Sequence, residues 1–558
     1  MTVEFDAIVC GSGISGGWAA KELTERGLRV LMIERGPIIK HTEYPTEWKA
    51  PWEMPFRGSL DPKVAETTKR VQRFARMDEW TQDMYVNDDV DVYETPEESG
   101  FRWMRGYHLG GKSLMWGRQC YRLSDINLQS NAKDGHGIPW PVTYQELVPW
   151  YEHVEKFIGI NGTTENLRSL PDGIFQPSMG FSKGEEVFAE LIKTRYADRR
   201  VIPARSANLT QGIGDRSACQ YRNQCARGCS FGAYFSTQSS TLPAAEVTGR
   251  LTILSDTIVE TLDYDPATKR VTGVRIRDVN TGQRSIRTAK VVFVCTGSIN
   301  SVSLLLRSVS DATPNGVGNT SGILGHYVID QAFGATLAST MPGLDEWAHK
   351  GRKPTGVIVP RFVNLDEQTE DFARGYSYQG VAQRMGWGRS VDKPGTGAAL
   401  KQGIRHPGDW AMVLEAAVEA LPRFENQVSI NFAKKDAFDQ PLSRIDVRFT
   451  DNERKAEAHA LREARAMLEP LGGQIMVLSE GNNPPGTSIH EMGGAPMGSD
   501  PTKSVTNARN QLHDALNVFV TDGAFMNSSG DRNPSLTYMA FTARAAAYAA
   551  DLIKSGQL

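Results

Sequence analysis

Residues 5–34 read FDAIVCGSGISGGWAAKELTERGLRVLMIE, and the order of features in this stretch sets the fold. Phe5–Cys10 is an apolar run of strand length. Gly11, Gly13 and Gly16 follow at G-x-G-x-x-G spacing, Trp18–Arg26 has a helical pattern, and Leu28–Ile33 is a second strand that ends in Glu34. This is the order of a βαβ dinucleotide-binding unit. Glycines there permit a tight turn and bring backbone amides against a pyrophosphate, whose charge the helix N-terminus favours. An acid at position 34 accepts from ribose hydroxyls and disfavours a 2′-phosphate, which sets NADP aside and leaves FAD and NAD both open.

Working outward, Pro37, Pro45, Pro51, Pro55 and Pro62 break the text up to Gly100 into long loops and short helices. The segment Arg105–Arg118 carries a Gly110-Gly111 turn that suits backbone amides laid against a flat ring. A helical pattern runs to about Ile158. Ile253–Val279 reads as paired strands joined at Asp265-Pro-Ala-Thr. Lys290–Cys295 is a strand that enters Gly297 and a helix to Leu306, a return of the chain to the parallel sheet. Val357–Phe432 alternates as in an antiparallel sheet, Glu453–Leu468 is helical, and Val518–Thr521 leads through Asp522-Gly523 to a helix from Ser535 to about Lys554. The expected fold is α/β: a Rossmann-type domain assembled from residues 1–135, 205–335 and 485–558. A substrate domain from residues 136–204 and 336–484, built on an antiparallel sheet with helices, is inserted into it.

Composition narrows the function. The chain has 558 residues, enough for roughly three to four domains at about 150 residues each. Lys and Arg number 62 against 65 Asp and Glu, so a basic nucleic-acid binder is excluded. Glycine occurs 53 times, where average usage of about 7% gives roughly 39, and it clusters as tight ligand-approaching turns do. No stretch approaches about 18 uninterrupted apolar residues, and Met1–Asp6 has no basic segment ahead of an apolar one. The expectation is a chain with no membrane span and no export signal of its own. Six cysteines are too few for a disulfide framework, and Cys10 and Cys295 sit in apolar strand-like runs as small buried hydrophobes.

Four separated motifs resemble those of the glucose-methanol-choline (GMC) flavoprotein oxidoreductases, over nearly the whole chain. They are Gly11/Gly13/Gly16 with Glu34; Gly110-Gly111 with Ser113 and Trp116; Gly297–Leu306; and His490, Gly493-Gly494 and Met497-Gly498 with Asp522-Gly523 and Asn533-Pro534-Ser535-Leu536-Thr537. The C-terminal half is similar to pyranose-oxidase-like enzymes, and particularly to bacterial glycoside 3-dehydrogenase and FAD-dependent glucose dehydrogenase catalytic subunits. The resemblance implies FAD rather than NAD, held by Gly11, Gly13, Gly16, Glu34, Gly110, Gly111, Ser113, Trp116, Gly297, Asp522, Gly523, Asn533, Ser535 and Thr537. It implies that His490 and Asn533 face flavin N5 beside the sugar. The residue types suit that work: a neutral imidazole, of unperturbed pKa about 6.5, removes the hydroxyl proton as hydride leaves carbon, and an amide hydrogen holds the alcohol oxygen. Pyranose oxidases attach flavin through a histidine where this chain has Met115, so FAD is expected to be non-covalent. His108 reads as a loop histidine, and Asp330-Gln331, where relatives often have Asp-His, receives no catalytic role.

Cys219, Cys225 and Cys229 fall in one glycine-containing loop with arginines nearby. Their spacing resembles that of the glucose dehydrogenase catalytic subunits, where three cysteines hold a [3Fe-4S] cluster. A fourth ligand for a four-cysteine cluster or a structural zinc is not evident. Three free thiols, or one disulfide and a spare, are the alternatives. The implied activity is oxidation of a secondary sugar hydroxyl, C3 in the nearest resemblance, with electrons leaving to a cytochrome c or quinone. An oxygen-using pyranose or C-glycoside 3-oxidase, a glucose C1 dehydrogenase and a non-enzymatic flavin subunit are the other readings. The resemblance also implies a small partner subunit whose signal carries the complex to the periplasm; otherwise the chain stays in the cytoplasm. Tyr376, Tyr378 and Trp387 are candidates for stacking on sugar or for sheet core.

Overall fold

Apolar runs without polar alternation are stable as strands where both faces are covered, and such runs build the parallel part of this molecule. The computed structural model describes residues 4–75, 77–347, 355–384, 396–405 and 407–558, so Trp387 lies outside the described residues. In chain order the strands are β1 (Phe5–Cys10), β2 (Val30–Ile33), β3 (Ile202–Pro203), β4 (Leu251–Leu254), β5 (Thr257–Asp265), β6 (Arg270–Asp278), β7 (Arg284–Val294), β8 (Ala332–Met341), β9 (Val357–Val359), β10 (Tyr376–Arg384), β11 (Trp410–Val418), β12 (Gln427–Lys435), β13 (Pro441–Asp446), β14 (Ile475–Glu480) and β15 (Val518–Val520).

The first sheet has the order β4-β2-β1-β7-β6-β5, with β15 added against β7. Strands β4, β2, β1, β7 and β15 run parallel, while β6 and β5 continue antiparallel. Strand β7 serves both parts. Residues 289–294 pair with β1 in parallel and 284–288 pair with β6, and its burial changes from alternating to continuous along the same length. The second sheet, β14-β8-β11-β10-β9-β3, packs against the helices Lys183–Arg195 and Asp451–Leu468 around Leu337, Tyr376, Tyr378, Met412 and Leu414.

Two segments pack differently from their expected domain. The helix Tyr144–Ile158, expected in the substrate domain, buries Leu147, Tyr151, Val154 and Ile158 against Trp18 and the C-terminal helix Ser535–Lys554. Strand β12 leaves the antiparallel sheet and forms a hairpin with β13, because Val428 and Ile445 share the core of β1, β7 and the helix Ser298–Arg307.

Glu419, directly after β11, is fully buried and binds Arg374 at 3.0 Å and Arg361 at 3.5 Å, while Arg374 also pairs with Asp134 at 2.9 Å. Removing one member of a buried ion set strands its partners. Glu419→Ala is expected to cost about 3–5 kcal/mol in urea unfolding with an unchanged m-value. A loss below about 1 kcal/mol would mean that the two guanidiniums do not depend on this carboxylate.

Candidate active site

The parallel register aligns the carboxyl ends of four strands: Cys10 pairs with Ile33 and with Val294, and Val294 with Val520. The residues that follow those ends are Gly11, Glu34, Gly297 and Asp522, so motifs far apart in the chain meet at one sheet edge, where open α/β sheets bind ligands. Gly11 has φ +92° and a Cβ there would meet the Cys295 carbonyl oxygen at 2.5 Å; at Gly16 a Cβ would stand 1.9 Å from Gly11 O. Both glycines are therefore required by the protein itself. Gly13 differs: its φ is an ordinary −64° and a Cβ would meet nothing within 4 Å. The space beside Gly13 is open, at a helix N-terminus where a phosphate group is favoured. Gly297, also facing open space, lies across the same edge, and Gly111 stands over Gly13 with its Cβ position 3.3 Å from Gly13 Cα.

Glu34 is buried, and burial raises its pKa. Its carboxylate accepts from Ser12 N (3.1 Å), Ser12 Oγ and Gly36 N (2.9 Å), and Ser12 Oγ in turn accepts from Gly110 N at 2.8 Å. Glu34 thus locks the glycine turn to the Gly110 block, a role its spacing did not disclose. Asp522 accepts from Gly297 N at 2.8 Å, from Ala524 N at 3.0 Å and from Ser301 Oγ, and burial raises its carboxyl to about 6. Gly523 is required by the Glu491 carbonyl oxygen, 2.5 Å from its Cβ position. Three of the expected cofactor residues spend their polar groups inside the protein. Ser113 Oγ bonds Gly110 O and Thr237, Trp116 Nε1 donates to Phe235 O at 2.9 Å, and Thr537 Oγ1 meets Tyr151 OH at 2.9 Å. Ser535 opens the C-terminal helix, which has no side-chain cap and no acid in its first turn, so its positive end is free for an anionic group. His108 is buried, with a pKa lowered to about 4 by burial, and its Nε2 has no partner among the described residues.

His490 and Asn533 come together: Asn533 Nδ2 lies 3.2 Å from His490 Nε2. The turn that presents His490 is held by buried Asp330, which accepts from Gly486 N (2.7 Å), Ser488 N (3.4 Å), His490 N (3.4 Å) and Ser488 Oγ. That grip balances a left-handed φ of +62° at β-branched Ile489, a conformation that costs about 1–3 kcal/mol. Gln331 Oε1 lies 2.8 Å from His490 Nδ1, and Gln379 Nε2 donates to Asn533 Oδ1 at 2.7 Å. The sequence reading gave Gln331 no catalytic role, yet it meets the catalytic imidazole, and Gln379 was not singled out at all. Strand alternation is the signal that finds Gln379: Tyr376 and Tyr378 turn inward, bonding His459 Nδ1 and Ala460 O, which makes them sheet core, so Gln379 points the other way. Burial first, and the Lys112 ammonium second, lower the His490 pKa to about 3, so the imidazole rests unprotonated at ordinary pH.

Cys219, Cys225 and Cys229 are free, half-buried, and line one small cavity with Tyr221, Phe231 and Tyr234. The loop is anchored from below by buried Glu47, which accepts from Ser230 N and pairs with Arg222. Burial raises the Cys219 pKa, against which the Tyr221 N–H on its sulfur (3.4 Å) and, least, Arg118 act, and Arg216 lies in electrostatic reach of Cys229. Both arginines are buried and keep guanidinium nitrogens without hydrogen-bond partners among the described residues. Among the described residues no three His, Cys, Asp or Glu side chains stand ready as a metal-ligand set.

Comparison with known proteins places the chain in a family. Two family models, each described as GMC oxidoreductase, match residues 6–326 and 422–542. The chain is 25% identical to the fructose dehydrogenase large subunit of Gluconobacter japonicus, over 100% of this chain and 99% of that one. It is 26% identical to paromamine 6'-oxidase of Streptomyces fradiae (98% and 92% covered) and 23% identical to the gluconate 2-dehydrogenase flavoprotein of Pantoea cypripedii (96% and 92%). The fold is shared with the solved structure of formate oxidase from Aspergillus oryzae, with a TM-score of 0.61 at 14% identity over 99% of this chain and 98% of that one. Because both halves of one family match in chain order across most of its length, the chain belongs to the GMC oxidoreductases, FAD-dependent enzymes that act on CH–OH groups.

Proposed function

We propose that this protein is an FAD-dependent sugar dehydrogenase that oxidises a secondary hydroxyl, C3 by resemblance, of a pyranose or glycoside to a keto-sugar. The observation that carries the chemistry is the pair His490 Nε2 and Asn533 Nδ2, 3.2 Å apart between the nucleotide edge and the antiparallel sheet. His490 Nε2 takes the hydroxyl proton, and Asn533 Nδ2 donates to the same oxygen and fixes the alcohol. The carbon loses its hydride in the same event, leaving a ketone. Bound FAD supplies the two-electron acceptor. With FAD bound, Gly11, Gly13, Gly16, Gly110, Gly111 and Gly297 would hold the pyrophosphate, the remaining lone pairs of Glu34 would serve the ribose, and the helix starting at Ser535 would offer its positive end to an anionic group. Sugar as substrate class is supported by full-length relatives named for fructose and gluconate.

By resemblance, Cys219, Cys225 and Cys229 would hold a [3Fe-4S] cluster, which would supply an electron outlet toward a cytochrome-type acceptor. Support comes from three free thiols on one cavity beside two buried arginines with spare donors. A small partner subunit completes the assembly and brings the chain to the periplasm. The fructose dehydrogenase relative is itself a large subunit, and Trp48, 64% exposed and tilted against Phe231 of the cysteine loop, leaves an apolar surface beside the cavity. A second reading, an oxygen-using 3-oxidase of the same fold, is favoured by the lack of a ready metal-ligand set among the described residues.

An anaerobic visible spectrum before and after adding a glucoside separates them. Flavin bands near ~450 nm on a broad iron–sulfur shoulder, both bleached by sugar, are expected for the dehydrogenase. Bleached flavin without a shoulder selects the oxidase, and flavin unchanged by any pyranose sinks the sugar reading. Cys225→Ser is expected to leave sugar-driven flavin reduction within about 2-fold while cytochrome reduction drops by at least ~10-fold. Equal cytochrome rates in variant and parent would remove the cysteines from the electron path.

A further inference from the structure

The structure assigns to Gln331 and Gln379 the task of setting which nitrogen of His490 is the base and which end of Asn533 meets the substrate; this rests on the proposed role of His490. Gln331, 1% exposed, directs its Nε2 at the carbonyl oxygens of Gly530 (2.8 Å), Arg532 (2.8 Å) and Ser529 (3.4 Å). Carbonyl oxygens only accept, so the atom facing all three is the amide nitrogen, and this holds whatever the histidine does. Oε1 therefore faces His490 Nδ1 at 2.8 Å and must receive a hydrogen from it. The neutral imidazole is then the Nδ1–H tautomer, and Nε2 carries the lone pair.

That lone pair propagates direction outward. A bare Nε2 calls for a donor, so Asn533 presents Nδ2 to it. Asn533 Oδ1 then accepts from Gln379 Nε2 at 2.7 Å, Gln379 Oε1 accepts from Gln119 Nε2, and Gln119 Oε1 accepts from Tyr121 OH. Every bond from Tyr121 to the three carbonyls donates in one sense, through four amides and the imidazole. Such a chain polarises cooperatively, and reversing any member leaves two acceptors or two donors face to face. The substrate hydroxyl enters at one link, accepting from Asn533 Nδ2 and donating to His490 Nε2. No other member has to turn. Gln379 belongs to β10, so the antiparallel sheet also fixes the orientation of a group that contacts substrate.

The test uses the FAD-loaded enzyme with 15N-labelled histidine, the His490 signals being assigned by their loss in His490→Ala. The parent is expected to show a proton-bearing Nδ1 and a pyridine-type Nε2. In Gln331→Met the tautomers are expected to mix and the limiting rate of anaerobic flavin reduction to fall by about 10²-fold, with the sugar dissociation constant within about 2-fold. Gln379→Met is expected to keep the Nδ1–H signature and to lose about 10-fold in rate through misaimed Asn533. A proton found on Nε2 in the parent, or full rate in Gln331→Met with His490→Ala inactive, overturns this inference alone. Full rate in His490→Ala overturns instead the base reading on which it rests. Should Gln331→Met fail to fold, the parent tautomer and Gln379→Met still decide.

Discussion

Replacing His490 by alanine is expected to slow sugar-driven flavin reduction by about 10²–10⁴-fold while FAD stays bound, because the side chain takes a proton and the cofactor cradle is built from other residues. Stopped-flow absorbance under anaerobic conditions measures it, and a rate within about 10-fold of the parent would remove His490 as the base. The pH dependence carries the same assignment. With its pKa lowered to about 3, the imidazole is neutral from neutral pH down to that value, so His490 produces no acid limb near 6.5 in the reduction rate. The lowered pKa also acts on stability. The unfolded chain takes up a proton near the ordinary histidine value of about 6.5, whereas the folded chain does so only near 3. The contribution of His490 is therefore fully present above pH 6.5 and is lost as pH falls from there toward 3. Comparing urea midpoints of parent and His490→Ala between pH 7 and pH 4 reads this directly: the parent should lose more.

The legible parts of this molecule were those in which one local pattern carries its own reason. Gly11, Gly13 and Gly16 between two apolar runs specify a turn that few other folds use, and the helix Ser535–Lys554 was bounded by its own periodicity. Packing partners were less legible. The apolar stripe Leu147, Tyr151, Val154 and Ile158 shows that the helix Tyr144–Ile158 has a buried face, but not whether the nucleotide sheet or the inserted sheet supplies the cover. Val428 and Ile445 posed the same problem in the β12–β13 hairpin. At the site, His490 and Asn533 stood out because their flanking motifs did. Gln331 was noticed beside Asp330 but given no role, since its meaning depends on the carbonyls of residues 529, 530 and 532, about 200 positions away, and a buried glutamine without those three acceptors would be free to turn either way. Glu34 was placed at the end of the second strand, where the structure has it, yet its bonds to Ser12 and Gly36 depend on how tightly the loop closes, which spacing alone does not state.

Gly13→Asp should separate folding from cofactor binding more sharply than any other single change at this edge. Gly13 caps the helix Ile14–Glu25 with an extended backbone, φ −64° and ψ −165°, which any residue adopts, and a Cβ there meets nothing within 4 Å. Aspartate is among the preferred capping residues and gives the helix a side-chain acceptor that it lacks. The FAD-free protein is therefore expected to unfold at the same urea concentration as the parent or at a slightly higher one. FAD binding is expected to fall by at least about 10³-fold, equivalent to about 4 kcal/mol, because the carboxylate occupies the space left for the pyrophosphate and repeats its charge. Gly16→Ala is the contrasting case: its Cβ would stand 1.9 Å from Gly11 O, so the turn itself must open and both stability and FAD binding should drop. Fluorescence titration of the apoproteins with FAD, beside their urea curves, gives the two readouts. Parental FAD affinity in Gly13→Asp would mean that the open side of Gly13 is not where the pyrophosphate lies, and the cofactor would then have to cross the sheet edge elsewhere, away from the helix N-terminus that Glu34 and Ser12 hold in place.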